Sequence, residues 1–381
     1  MRVLVTGGAG FIGSFAVEAL VSRGHAVRVL DSLDPQVHGP DPSPRLPAGV
    51  QFRRGDIRDR ATCAAALDGV DAVVHCASAV GVAQSLYRVE HYVDVNVRGT
   101  ATLLECLAER ARPIEKFIVP TSMTGYGEGL YRRPSDGRLL RVGIRSEEDI
   151  VRHGWEPACP DTGEPLEAMP TPEEAALLAR NVYALTKRYQ EELSLALGAV
   201  YGFPVVCLRL FNVYGPRQSL TNPYTGVLAI FLSRLTAGER PVVYEDGAQT
   251  RDFVSVHDVV AAMLAALATP AADGTVVNIG SGTARRIGDV ARMLARVAGR
   301  EDIEPEATGQ FRRGDVRHCT ADLGRARRLL GFVPRVAWED GLAELVAWAR
   351  EADATDGFAQ ADCELRARGL VSGPIGTKTA S

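Results

Sequence analysis

The chain begins with the stretch that constrains it most, Val3-Leu4-Val5-Thr6-Gly7-Gly8-Ala9-Gly10-Phe11-Ile12-Gly13. β-preferring apolar residues run straight into glycines at positions 7, 10 and 13, and a helical pattern follows. That order is strand, tight turn and helix N-terminus, where backbone N–H groups and the helix dipole can meet a pyrophosphate. Gly7 suits the turn, Gly10 admits the phosphates to the backbone, and Gly13 lets the helix pack close to the strand. The spacing is GxxGxxG rather than GxGxxG, and a glycine triplet alone often marks only a turn. Here an acidic residue, Asp31, closes the apolar run Ala26-Val27-Arg28-Val29-Leu30 at about the 20-residue interval of a dinucleotide fingerprint. A carboxylate there can accept hydrogen bonds from ribose hydroxyls and would repel a 2′-phosphate, so the expected cofactor is NAD. Arg28 lies near in sequence, but strand alternation leaves its direction open.

The rest of the chain fits a globular protein. Its 381 residues allow one large domain or two modest ones, and the net charge of -4 offers nothing basic to nucleic acid. No apolar run approaches the ~18 residues that a membrane span needs. Gly7 to Gly13 interrupt what could be mistaken for the apolar part of a signal peptide. The seven cysteines are scattered and none forms CxxC, which suits reduced thiols in a cytoplasmic protein.

Apolar strands separated by helical segments recur through the first half, at 3–6, 26–31, 50–56, 70–77, 115–120 and 202–210. A helix from about Tyr92 to Glu109 joins the fourth and fifth. This alternation predicts an α/β fold, a Rossmann-type doubly wound parallel sheet with ligands at the carboxyl ends of its strands. A smaller mixed α/β domain is expected to follow. The expected boundaries are 1–209 with 252–280 for the dinucleotide domain and 210–251 with 281–350 for the second. Helices are expected at 256–268, 287–298, 322–330 and 338–350. Residues 128–171 break into charge, Gly and Pro with no period and read as a long loop insertion. Residues 351–381 read as a poorly ordered tail.

The chemistry sits in Tyr183-Ala184-Leu185-Thr186-Lys187, within a strongly helical stretch. Spacing of i,i+4 puts the phenol and the ammonium on one face. A free phenol titrates near pH ~10 and is a poor base at neutrality. A neighbouring ammonium and a cationic nicotinamide would both favour the phenolate. An amphipathic helix with a surface Lys and a half-buried Tyr would carry the same residues, and the upstream fingerprint is what favours catalysis.

Together these motifs resemble the extended short-chain dehydrogenase/reductases, and within them the nucleotide-sugar epimerases and dehydratases. The matching stretches are Thr6 to Gly13, Asp31, Gly55-Asp56-Ile57, His75-Cys76-Ala77-Ser78, Asn96-Val97-Arg98-Gly99-Thr100 and Tyr183 with Lys187. They continue with Arg209 to Pro216, Arg251-Asp252-Phe253-Val254 with His257-Asp258, and Arg312-Arg313-Gly314-Asp315. The resemblance implies a cofactor site made by Gly7, Gly10, Phe11, Ile12, Gly13, Asp31, Asp56, Ile57, Ala77, Asn96, Tyr183 and Lys187. It implies Tyr183 as base, with Lys187 holding ribose and phenolate. Asn212, Arg251 and Arg312 would grip the substrate's diphosphate, where guanidinium groups bind bidentately. Ser122, four residues before Tyr126-Gly127, takes the place of the hydroxyl that meets the sugar O4; the same serine could simply cap a turn.

The next two residues select among reactions. The family's 4,6-dehydratases carry Asp-Glu there and its decarboxylases a Glu at the second position, whereas this chain has Met123 and Thr124. What remains is oxidation at one carbon and re-reduction, the work of an epimerase. Gly215 to Gly226, Tyr244-Glu245-Asp246-Gly247 and the long insertion resemble the branch of dTDP-L-rhamnose 4-epimerases. Relatives there carry cysteine knuckles suggestive of a zinc ribbon. Tyr131-Arg132-Arg133-Pro134 has no cysteine and Cys159-Pro160-Asp161-Thr162-Gly163 keeps one, so no metal is expected. The readings in play are a 4-epimerase of a dTDP-6-deoxyhexose, a UDP-glucose or UDP-glucuronate 4-epimerase, a net oxidoreductase of the same fold, and a non-catalytic dinucleotide-binding regulator. The resemblance also implies a homodimer through a four-helix bundle. Leu103, Leu104, Leu107, Leu193, Leu195 and Leu197 would serve it, or would serve the protein's own core.

Overall fold

The computed structural model describes residues 1–39, 42–178, 181–222, 224, 226–352 and 358–374. The first part alternates as the apolar periodicity requires. It runs β1 (Arg2–Thr6), α1 (Phe11–Ser22), β2 (Ala26–Asp31), α2 (Pro35–His38), β3 (Gln51–Arg54), α3 (Arg60–Leu67) and β4 (Ala72–His75). Then come α4 (Val82–Ser85), α5 (Val89–Val93), α6 (Gly99–Ala108) and β5 (Lys116–Ser122). The single helix expected over 92–109 is instead interrupted by a π-turn at Asp94–Arg98. The insertion holds β6 (Leu130–Arg132), β7 (Leu139–Arg141), α7 (Glu147–His153) and β8 (Glu167–Met169), and α8 (Val182–Tyr201) and β9 (Val205–Leu210) follow. The remainder is β10 (Asn212–Tyr214), α9 (Val227–Ala237), β11 (Val242–Val243), β12 (Thr250–Ser255), α10 (Val256–Ala268) and β13 (Thr275–Ile279). It ends with β14 (Ala284–Arg286), α11 (Ile287–Ala298), β15 (Glu306–Ala307), β16 (Gln310–Arg312), β17 (His318–Cys319), α12 (Gly324–Leu330), α13 (Trp338–Glu351), α14 (Phe358–Ala367) and β18 (Val371–Pro374).

Seven parallel strands form the main sheet in the order β13-β9-β5-β4-β1-β2-β3. Successive β1 side chains go to opposite faces, Val3 and Val5 into one core and Leu4 into the other. Helices cover both faces, which is why the inner strands are mostly apolar, while the edge strand β3 is Gln51-Phe52-Arg53-Arg54 and largely exposed. The chain winds outward from β1 to β3 and then returns to β4, so the switch point, and the crevice it creates, lies between β1 and β4. A second core gathers Tyr214, Leu228, Phe231, Leu294, Trp338 and Leu342 from the smaller lobe. The boundaries differ in detail from the expected ones. Residues 250–255 form β12, paired with β10, β14 and β17 outside the main sheet. Cys319, Ala321, Leu323, Ala326 and Phe332 pack into the first core rather than the second. Among the described residues, no helix is long and apolar enough to cross a membrane.

Two expected irregular segments are ordered. In the insertion, β6 pairs antiparallel with both β7 and β8, over a small core of Tyr131, Val142, Cys159 and Leu166. Strands of three residues are too short to show a period. The tail is corrected over 358–374: Leu365 and Val371 pack with Ala83, Tyr87, Tyr224 and Tyr244, and β18 pairs with β16. Tyr87 and Tyr224 both donate to one oxygen of Glu364, at 2.7 and 2.9 Å. Residues 353–357 and 375–381 of that tail, and Pro223 and Thr225 of the branch motif, lie outside the described residues. The tail thus joins the segment after β4 to the smaller lobe. A chain ending at Ala352 should lose about 2–4 °C of thermal midpoint by uncovering this cluster; thermal unfolding of the two lengths checks it, and equal midpoints would contradict the packing.

Candidate active site

The nucleotide end of the site follows from the glycines. Gly7 has φ +66°, and a Cβ there would lie 2.7 Å from the Ala77 nitrogen, so β1 and β4 meet backbone to backbone at the switch point. A Cβ on Gly13 would lie 2.1 Å from the Gly7 carbonyl oxygen, which accounts for the third glycine by packing alone. At Gly10 a Cβ would meet only that oxygen, at 3.3 Å. The protein therefore leaves that side open, as an approaching phosphate requires. No side chain caps α1, so Phe11, Ile12 and Gly13 open a helix whose positive end faces the same space.

Asp31 sits at the end of β2 and receives the N–H groups of Ala9 and Leu33, at 3.0 and 2.9 Å. Burial pushes its pKa upward, but His38 and these two N–H groups outweigh burial and hold it below the usual carboxylate range. A fixed, ionised carboxylate with lone pairs to spare suits ribose hydroxyls. Arg28 turns the other way: its guanidinium donates to the Ala66 and Asp68 carbonyls and to Gln51. Asp56 is gripped by Arg58, which also binds Asp94 at 2.7 Å. Ile57 is buried against Gly99. These contacts with neighbours within the chain fix the turn after β3 beside the cofactor crevice.

Ser122 ends β5, and Tyr183 and Lys187 stand in the first turns of α8, whose N-cap Asn181 accepts from Ala184 N–H at 2.8 Å. Ser122 and Tyr183 meet, with Lys187 one helical turn further along α8. Ser122 caps the turn that follows it, its Oγ accepting from Thr124 N–H at 3.2 Å, and its hydroxyl also meets the Tyr183 phenol. Thr124 Oγ1 adds a 3.0 Å contact to Ser122 Oγ. The Tyr183 ring packs edge-on against Tyr92 at 6.4 Å.

Burial pushes the Tyr183 phenol up to about 12, and the contact with Ser122 opposes it. Burial also pushes Lys187 down to about 8, against a small upward pull from Cys76. Lys187 Nζ donates to Gln190 Oε1 at 2.7 Å and to Ser78 Oγ at 3.4 Å.

Asn96 has a different place from the expected one. It is wholly buried, and its amide makes four hydrogen bonds within the protein. The oxygen accepts from Ala79 N–H and Ser78 Oγ, and the nitrogen donates to the Ala79 carbonyl and Thr186 Oγ1. It acts on the site by pinning the segment after β4 to α8.

On the substrate side, Arg251 and Arg312 are brought together by one carboxylate. Asp315 takes Arg251 on one oxygen at 2.9 Å and Arg312 on the other at 3.0 Å. Asn212 Oδ1 is buried without a hydrogen-bond partner, and since the two ends of an amide exchange easily it marks a group free for a ligand. Behind the arginines the insertion docks through buried charge. Arg145 pairs with Glu245 at 2.8 Å, Arg317 pairs with Glu245 at 2.7 Å and with Glu156 and Asp246, and Glu128 accepts from Tyr131 OH and Arg317 N–H. The motifs included Thr100, Glu245 and Asp246 without giving them a role and left out Arg145, Arg317, Glu128 and Gln190; the i,i+3 spacing of Gln190 from Lys187 was the available signal. Cys159 is buried, with the Arg133 guanidinium 3.7 Å from its sulfur.

Comparison with known proteins agrees with this geometry. The model of the NAD dependent epimerase/dehydratase family matches residues 3–142 and 160–280. The dTDP-L-rhamnose 4-epimerase of Burkholderia thailandensis is 37% identical over 92% of this chain and 96% of its own. The crystal structure of Thermotoga maritima UDP-glucose 4-epimerase with UDP-glucose has a TM-score of 0.75 at 30% identity, covering 92% of this chain and 99% of that one. That of Thermus thermophilus UDP-glucose 4-epimerase with NAD has a TM-score of 0.69 at 28% identity, covering 93% and 100%. The uncapped helix, the open side of Gly10 and the ionised Asp31 fit NAD, and the chain belongs to the NAD dependent epimerase/dehydratase family, whose members include nucleotide-sugar epimerases.

Proposed function

We propose that this enzyme inverts C4 of a nucleotide hexose, with a dTDP-6-deoxyhexose such as dTDP-L-rhamnose as substrate. One observation supports the reading: Ser122 meets Tyr183 one helical turn from Lys187, while Met123 is buried in the core and the Thr124 hydroxyl contacts Ser122. Neither residue after Ser122 can serve as the acid or base that expelling water from C5–C6 would need. Bound NAD supplies the hydride acceptor and, while oxidised, a positive ring that favours the phenolate. Tyr183 takes the proton of the sugar O4 hydroxyl and returns it to O4 after inversion. Ser122 holds that oxygen, and its bond to the phenol favours the ionised form. Lys187 keeps a cation behind both. Asn212, Arg251 and Arg312 bind the diphosphate, and the Asp315 bridge fixes the spacing of the two guanidinium groups. Anchoring the nucleotide firmly leaves the sugar free to rotate and present its other face. The preference for a dTDP-sugar rests on the likeness to the Burkholderia enzyme; UDP-sugar epimerases are the second reading, since such enzymes are similar over the same length.

Incubation with dTDP-L-rhamnose, UDP-glucose and UDP-glucuronate, followed by NMR, should show inversion at C4 of dTDP-L-rhamnose without net reduced cofactor. Tyr183→Phe should abolish turnover, and Ser122→Ala should slow it by about 10²-fold. Accumulating keto sugar and reduced cofactor would replace this reading with a net oxidoreductase, and inversion of a UDP-sugar alone would move it to the second reading.

We also infer a homodimer, with a surface that differs from the leucines named above. Leu103, Leu104 and Leu107 are buried in the protein's own core and Leu193, Leu195 and Leu197 pack against it. Val89 and Val93 on α5 and Leu185 and Tyr189 on the adjacent α8 are the exposed apolar residues that a partner's helices would cover. Light scattering at micromolar concentration should give twice the chain mass, reduced towards one chain by Tyr189→Glu. A monomeric mass for the unmodified protein would reject the dimer.

A further inference from the structure

Behind the catalytic helix, a row of uncharged polar side chains runs from β1 to Lys187, and the proton of each can be placed. Thr6, His75, Thr100 and Gln190 are all essentially inaccessible to solvent. Thr100 Oγ1 lies 2.6 Å from the Asn96 carbonyl, which can only accept, so the single Thr100 hydroxyl proton goes there. Its lone pairs then accept from Gln190 Nε2 at 2.8 Å and from His75 Nε2 at 2.9 Å. His75 is therefore the tautomer protonated at Nε2, and its Nδ1 accepts from the Thr6 hydroxyl at 2.7 Å. The Thr6 oxygen in turn accepts Ala77 N–H at 3.3 Å.

The row has a direction. With its NH2 committed to Thr100, the Gln190 amide can present only its carbonyl to Lys187, 2.7 Å from Nζ. The reverse orientation would set donors against an ammonium and leave Thr100 without its partner. Burial, assisted by the Lys187 charge, pushes His75 down to about 3, so the row stays neutral wherever the enzyme works. The other titratable group facing Lys187 is the Cys76 thiol after β4, which burial pushes up to about 12, and Tyr183 lies one turn earlier on the same helix.

We propose that Gln190 is a positioning residue for Lys187, its carbonyl held toward the ammonium by the neutral Thr6–His75–Thr100 row so that the cation's field stays available to Tyr183. A carboxylate in the same place would orient the ammonium equally well but would cancel its charge over the phenol. A neutral acceptor orients it without cancelling. The proposal rests on the catalytic roles given above to Tyr183 and Lys187.

The test uses the NAD-loaded enzyme and two substitutions of nearly the same size, Gln190→Glu and Gln190→Met. Ultraviolet difference titration of the phenolate, with Tyr183→Phe as blank, reads the ionisation of Tyr183 with no substrate present. In the loaded enzyme, where the positive nicotinamide ring brings the phenol into the range in which Lys187 is still charged, Gln190→Glu should move it upward by about 1 pH unit because the new carboxylate neutralises Lys187. Gln190→Met should also move it upward, because an ammonium without its acceptor is more easily deprotonated. The rising limb of the pH–turnover profile should move with it, at nearly unchanged KM. Thermal midpoints and bound NAD identify which variant is folded, and one folded variant suffices. A folded variant whose Tyr183 titrates as in the unmodified enzyme would overturn the proposal. Failure to epimerise any sugar nucleotide would overturn the functional reading instead and leave this titration readable.

Discussion

The seating of α8 against the carboxyl end of β4 is the constraint on which the rest of the site depends. Tyr183 and Lys187 can act only if the helix carrying them is registered with the crevice between β1 and β4. Asn96 makes that registration, since one buried amide ties the Ala79 backbone and Ser78 to Thr186 on α8. Shortening this residue would orphan several buried polar groups at once, each costing about 1–3 kcal/mol. The Gly7–Ala77 approach fixes the same crevice from the other side, because any side chain at position 7 would collide with backbone. The glycine turn, α8 and the carboxyl end of the sheet are therefore held as one unit.

The smaller lobe relies on a different kind of interaction. Arg251 and Arg312 are spaced by Asp315, and the insertion is seated behind them by Arg145, Glu245, Arg317 and Glu128. Such buried pairs add little net stability compared with apolar packing, but losing one partner strands the other charge. They fix which surfaces meet. On the proposed reading, charge around Arg251 and Arg312 and neutrality around Lys187 divide the site into an anchoring half and a reacting half.

Much of this was legible because the signals are local. Strand-to-glycine transitions locate the crevice, and the helices at 256–268 and 287–298 carry uninterrupted apolar faces that mark their ends. The association of Arg251 with Arg312 was legible only through resemblance, since the carboxylate that joins them acts across 64 residues. The insertion was opaque because its strands are three residues long and its docking partners lie about the 245 and 317 positions. The tail was opaque for a similar reason: Glu364 has meaning only once Tyr87 and Tyr224 are adjacent. Asn96 was visible as part of a motif, yet a motif does not reveal whether an amide faces a ligand or the protein. The direction of the Tyr183 shift could not be read from i,i+4 spacing, which places the ammonium but says nothing of burial.

The central claim is that C4 is oxidised and reduced again within one turnover, with Tyr183 handling only the proton on oxygen. Substrate deuterated at C4 tests it most directly. The account predicts that the label returns to C4 of the product without exchange into solvent, because hydrogen on carbon moves as hydride within a closed site. Loss of deuterium to water would mean deprotonation at carbon, and the assignment of Ser122, Tyr183 and Lys187 to a transient oxidation would have to be given up.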